Sequence, residues 1–134
     1  MKFVFRGVVI EIPWWEECLP GWTSPTPSAY RSSDGVMLAI SEIWAPPARR
    51  VHVGGFDPDR MKSVLAAFGD DSALPPVEAD RPPGEGPFVY RLRDGYHRFM
   101  ASVAAGYTHV PVVIKPYFDF NDPGGVGWEA LIDR

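Results

Sequence analysis

The sequence predicts an α/β domain in which short strands are interleaved with short helices, and three observations lead there. Val89, Tyr90 and Leu92 suit a pleated surface. The turn Asp94-Gly95 and an Ala-rich run from Phe99 to Ala105, stopped by Gly106, follow them, and then comes Val110-Pro111-Val112-Val113-Ile114: strand, turn, helix, strand. A second helix is signalled at Asp57-Pro58. The length, 134 residues with 46% hydrophobic and 22% charged, suits one globular core.

Taken in order, Phe3 to Ile12 is rich in Val, Ile and Phe with little alternation, which predicts a single, largely buried strand ended by Pro13. Trp14 to Trp22 is dense in aromatics and runs into a Ser, Thr and Pro loop. Trp14, Trp15 and Trp22 have two readings: they cap the core or a homodimer surface, or they line a pocket for a base, a sugar or a partner peptide. Asp57 is placed to cap a helix with Pro58 at its first position. Met61, Val64, Leu65 and Phe68 then share one face until Gly69 ends it, with Arg60 and Lys62 towards water. Asp70-Asp71-Ser72 makes the return turn, and Asp80 to Pro87 reads as an exposed Pro/Gly-rich connection between strands. His109 is placed in an exposed loop between helix and strand. Tyr117 to Gly127 reads as loop, and Trp128 to Arg134 as a short helix at most. No repeat or second domain is visible, so residues 1–35 are expected to pack on a core of 36–116, followed by 117–134.

The chemistry concentrates in Asp94-Gly95-Tyr96-His97-Arg98. A turn opening a helix aims its first-turn N–H groups outward. With the positive end of the helix dipole and the Arg98 guanidinium, these donors suit an oxyanion such as a phosphate. His97 beside them could bond, ligate or shuttle protons.

An Asp-Gly-aromatic-His-Arg turn that opens an Ala-rich helix and ends in Val-Pro-Val-Val-Ile resembles the ParB/sulfiredoxin superfamily. Val36 to Ile43 is similar to that family's opening strand, Phe56-Asp57-Pro58-Asp59-Arg60 to the start of its first helix, and Ala73 to Ala79 to its second strand. The ordered match covers about Val36 to Lys115. The resemblance implies a small mixed sheet with two or three helices and a nucleotide held at the turn, ATP or CTP with Mg²⁺. In such a site Gly95, Tyr96, His97 and Arg98 would hold the phosphates, with His97 bonding a phosphate oxygen or acting as acid or base; the competing readings are an internal hydrogen bond to the fold for His97 and a structural salt bridge for Arg98. Asp94 would be a Mg²⁺-side carboxylate or general base, or else the cap of the helix. Ser102, one turn on, would touch a phosphate or bond a backbone carbonyl, as helical serines commonly do. Arg49-Arg50 falls where partition proteins carry an arginine box, and Arg50 joins the candidates, although a solvated pair fits as well. His52 and Glu42 are rim residues at most.

The departures narrow the expectation. Partition proteins use Gly-Glu-Arg-Arg and follow this domain with a helix-turn-helix, which nothing up to Arg134 supplies, so sequence-specific partition is not expected. Sulfiredoxins need a cysteine where Tyr96 stands, and Cys18 lies outside the motif. The stand-alone Asp-Gly branch, which includes free-serine kinases, fits better.

A formal charge of −4 argues against coating nucleic acid. No apolar run reaches the roughly 20 residues a membrane helix needs, and Arg6 and Glu11 interrupt a signal-like N-terminus, so a cytoplasmic protein is expected. One cysteine excludes an internal disulfide, and three histidines show no zinc spacing. Walker, nucleophile-elbow and zinc-protease motifs are absent. Three functions are carried forward: a phosphotransferase or NTP hydrolase acting through Asp94, His97 and Arg98; a ParB-like nuclease or other nucleic-acid module; and a non-catalytic interaction domain using the tryptophans. Self-association is left open.

Overall fold

A computed structural model describes residues 1–23, 28–45, 56–84 and 86–117, which form a mixed α+β fold with two sheets and three α-helices among the described residues. The N-terminal segment is a hairpin of β1 (Lys2–Phe5) and β2 (Val8–Glu11) in place of the single buried strand expected. Arg6 and Gly7 turn the chain with φ of 51° and 81°, the positive values that match a tight turn to strand twist. Val4 and Val9, paired across the hairpin, face solvent, while Ile10 and Ile12 reach the core. Trp15–Cys18 adds a four-residue helix, α1.

The main sheet has the order β3-β7-β5-β6-β4. The opening strand, expected over Val36 to Ile43, is β3 (Val36–Ala39), a 3₁₀ turn at Ile40–Glu42 and a two-residue β4 (Ile43–Trp44). The turn carries the chain from one edge of the sheet to the other. Central β5 (Val77–Asp80) pairs in parallel with β7 (His109–Ile114) and antiparallel with β6 (Tyr90–Asp94), with a register shift at Glu78/Ala79. β5 starts four residues later than expected: Ala73 to Pro76 joins no strand of the sheet, and the Leu74 N–H donates to the Arg31 carbonyl at 2.9 Å instead. Asp80, expected in an exposed loop, is the fully buried last residue of that strand, and His109 is the half-buried first residue of β7.

Helix α2 (Pro58–Asp70) starts as its sequence dictates: the Asp57 carboxylate accepts from the Arg60 N–H at 3.1 Å, and Pro58 stands at the first position, where a missing N–H costs nothing. Met61, Val64, Leu65 and Phe68 are buried, each such burial stabilising by about 1.5–3 kcal/mol. The helix passes through Gly69 and ends at Asp71, a non-glycine residue at φ 55°. Helix α3 (Tyr96–Ala105) ends at Gly106, φ 90°, and buries Phe99, Met100, Ala101 and Ala105.

The tryptophans serve this core. Trp15 is buried, and Trp22 packs against Trp15, Phe68 and Tyr107 while its indole N–H donates to the Ala105 carbonyl at 3.0 Å. The segments proposed for Arg49, Arg50 and His52, and for the C-terminal loop and helix beyond Tyr117, lie outside the described residues.

Candidate functional site

The turn from β6 into α3 is built around Gly95. It is the N-cap of α3, with φ 97° and ψ 31°, and no side chain caps the helix. Asp94 is therefore not the cap. It ends β6 with its carboxylate largely in solvent, 3.8 Å from Arg98 Nη2. A Cβ on Gly95 would lie 2.7 Å from Val77 Cγ1, so only glycine lets the turn seat on β5.

His97 links the two long helices. The Asp57 backbone N–H, at the cap of α2, donates to His97 Nε2 at 2.9 Å, which makes that nitrogen an acceptor and the ring neutral in this arrangement. The imidazole Nε2 is thus occupied as an anchor for α2: of the two sequence readings of His97 this is the internal hydrogen bond to the fold, with a partner that the motif did not identify. Phe56 is buried between the two starts, stacked on Tyr96 at 5.5 Å and edge-on to His97 at 5.5 Å. Together these contacts bring the N-termini of α2 and α3 side by side, so the positive ends of two helix dipoles share one corner of the molecule.

Arg98 also works inward. Its side chain is 17% exposed, and Nη1 donates to the carbonyls of Pro75 at 3.0 Å and Pro76 at 3.3 Å. This fastens the first turn of α3 to the segment entering β5. The Pro75 carbonyl accepts a second bond from the Tyr30 hydroxyl at 2.7 Å, and burial pushes the Tyr30 phenol well above its ordinary value, against a smaller opposing pull from the Arg98 charge. Ser102 is fully buried and its Oγ donates to the Arg98 carbonyl at 2.7 Å, so it braces the helix from inside. Asp94, Gly95, Tyr96, His97 and Arg98 form the β6–α3 turn in sequence, with the His97 side chain directed to Asp57 and that of Arg98 to Pro75 and Pro76. Ser102 lies behind them, and Arg50 is outside the described residues.

A second cluster had no counterpart among the sequence-based expectations. Asp80 is fully buried and takes a two-point bond from Arg91, Nε to Oδ1 at 3.1 Å and Nη2 to Oδ2 at 2.7 Å, with Arg93 Nη1 on Oδ2 at 2.7 Å. Arg91 also lies over the Tyr117 ring at 5.2 Å. The signal for it was the alternation Arg91-Leu92-Arg93, which puts two guanidiniums on one face of β6, opposite a carboxylate that β5 had to bury. Among the described residues no group of three or more His, Cys, Asp or Glu side chains is arranged to hold a metal. No helix among them is long and apolar enough to cross a membrane.

Compared with known proteins, the sequence matches no family model and no curated protein.

Proposed function

We propose that the protein binds a phosphate-bearing ligand, a nucleotide of the ATP or CTP class, at the corner where α2 and α3 begin, as a stand-alone domain of the ParB/sulfiredoxin kind. The observation that carries this reading is the Asp57 N–H to His97 bond, which sets two helix N-termini beside one another. The first-turn amides of α3 would supply the phosphate donors. Arg98 would add long-range charge while it remains tied to Pro75 and Pro76. The exposed Asp94 carboxylate repels a bare phosphate and attracts a cation. Magnesium fits that donor set, since it needs only one or two protein carboxylates when phosphate oxygens complete its shell, and it would arrive with the nucleotide. It would offset phosphate charge there. Asp94 is also the carboxylate placed to take a proton from an acceptor hydroxyl, should phosphoryl transfer follow binding, because His97 Nε2 is engaged with α2.

Calorimetric titration of ATP, ADP and CTP, with and without Mg²⁺, tests this reading. The wild type should bind at least one of them, and Arg98→Ala, checked to be folded, should bind it about tenfold or more weakly. Asp94→Asn should bind more tightly than wild type without Mg²⁺ and lose most of the Mg²⁺ dependence. Folded wild type that binds none of the three refutes the proposal. Nucleic acid as the alternative ligand would reveal itself by steep salt dependence with an oligonucleotide and no binding of mononucleotides.

A further inference from the structure

The seam between the N-terminal hairpin and the β4 edge of the main sheet holds a cavity of about 290 Å³. Phe5, Val8 and Ile10 line it from the hairpin, Trp44, Ala45 and Phe88 from the sheet side, and Met100 from α3. One ionisable side chain, Arg6, stands among these described lining residues. Its guanidinium carbon is 4.4 Å from the centroids of both the Phe5 and Phe88 rings. Nη1 donates to the Ile43 carbonyl at 2.6 Å and Nη2 to the Ile40 carbonyl at 2.9 Å. These bonds fix the guanidinium in place but leave its charge uncompensated: among the described residues no carboxylate pairs with Arg6. Burial pulls its pKa down, as expected of a cation partly withdrawn from water.

Aromatic and aliphatic walls around a fixed positive charge that has no carboxylate partner among the described residues define the complementary ligand. We infer that this cavity binds a small amphipathic monoanion, a carboxylic acid with a single-ring or short aliphatic body. The carboxylate meets the edge of the Arg6 guanidinium, where a charge-assisted bond gains from partial exclusion of water. The apolar body lies among Phe5, Val8, Trp44 and Phe88. The volume is at the lower end of small-molecule pockets, which run from about 300 to 1,000 Å³, so it suits a ring with a short chain better than a nucleotide. A single guanidinium also matches one negative charge rather than the two of a phosphate monoester.

The test is an NMR titration of the ¹⁵N-labelled protein with 3-phenylpropionate, octanoate and the uncharged 3-phenylpropionamide. Saturable shifts of the Arg6 amide and the Trp44 indole N–H are expected with at least one acid, and binding of the amide at least tenfold weaker than of 3-phenylpropionate. Val8→Trp, which fills the cavity from the partly exposed hairpin, should abolish the shifts. Arg6→Gln should remove the preference for acid over amide. Failure of both acids to shift these resonances overturns the inference, as does equal affinity for 3-phenylpropionate and its amide, or unchanged acid binding by folded Val8→Trp.

Discussion

Replacing Gly95 with alanine separates two demands that the β6–α3 turn makes on one residue. The first is conformational, since φ is 97°. An L-residue in the left-handed region loses about 1–2 kcal/mol to contact between its own Cβ and the backbone. The second is spatial: the new methyl would lie 2.7 Å from Val77 Cγ1, 2.9 Å from Val77 Cβ and 3.1 Å from Arg98 Nη2. Relieving such overlap in a packed interior costs about 1–3 kcal/mol more. Gly84 supplies the internal control, because its φ is 92° and a methyl placed there would meet nothing within 4 Å among the described residues. Gly84→Ala should therefore cost about 1–2 kcal/mol and Gly95→Ala about 2–5 kcal/mol. Urea unfolding followed by far-ultraviolet circular dichroism measures both, with the denaturant slope unchanged if only the native state is affected. Equal losses for the two variants, within about 0.5 kcal/mol, would refute the close seating of the turn on Val77.

Two further outcomes can be checked by similar means. Asp80→Asn removes the charge that holds Arg91 and Arg93 and should destabilise the fold by about 3–5 kcal/mol in urea, the usual cost of stranding a buried partner; a loss below about 1 kcal/mol would mean water already solvates the pair. Tyr30, whose phenol is raised by burial, favours folding in its neutral form. That contribution is fully present below about pH 10, the unfolded-chain value, and is lost as pH climbs from there towards the higher folded-state value. Tyr30→Phe should then lower stability by about 1 kcal/mol at neutral pH, through the missing bond to Pro75, and should flatten the alkaline decline. Parallel pH profiles for the two proteins would contradict the assignment.

Local signals were legible in the sequence and distant partners were not. The Asp57 cap, Pro58, the apolar face of α2 and the Gly106 stop are decided by neighbours a few residues away, and they stand where their chemistry puts them. The Arg6-Gly7 turn was hidden because arginine is seldom the residue that takes positive φ, and its tolerance here comes from anchoring by the carbonyls of Ile40 and Ile43. Asp71 at the end of α2 is a similar case: Gly69 offered the commoner stop two residues earlier. At the candidate site, the sequence placed Asp94 to Arg98 in the turn between β6 and α3. It could not say that Arg98 would bond Pro75 and Pro76, or His97 the start of α2, because those partners lie 22 or more residues away in the chain. Asp80 was misplaced for the same reason, its burial being decided by a strand eleven residues further on.

The unpaired stretch from Ser28 to Arg31 has a mechanical consequence. Its Ser28 carbonyl accepts from the N–H groups of Thr108 and His109, its Arg31 carbonyl from Leu74, and its Tyr30 hydroxyl reaches the oxygen that Arg98 also grips. Four residues without a strand or helix thus act as a rivet through both the entry to β5 and the entry to β7. A shortened chain beginning at Val36 would keep every described strand of the main sheet and still lose the bonds that hold the entries to β5 and β7 together. The N-terminal quarter of the sequence is for that reason part of the framework of the candidate site, and the fold cannot be divided at that boundary.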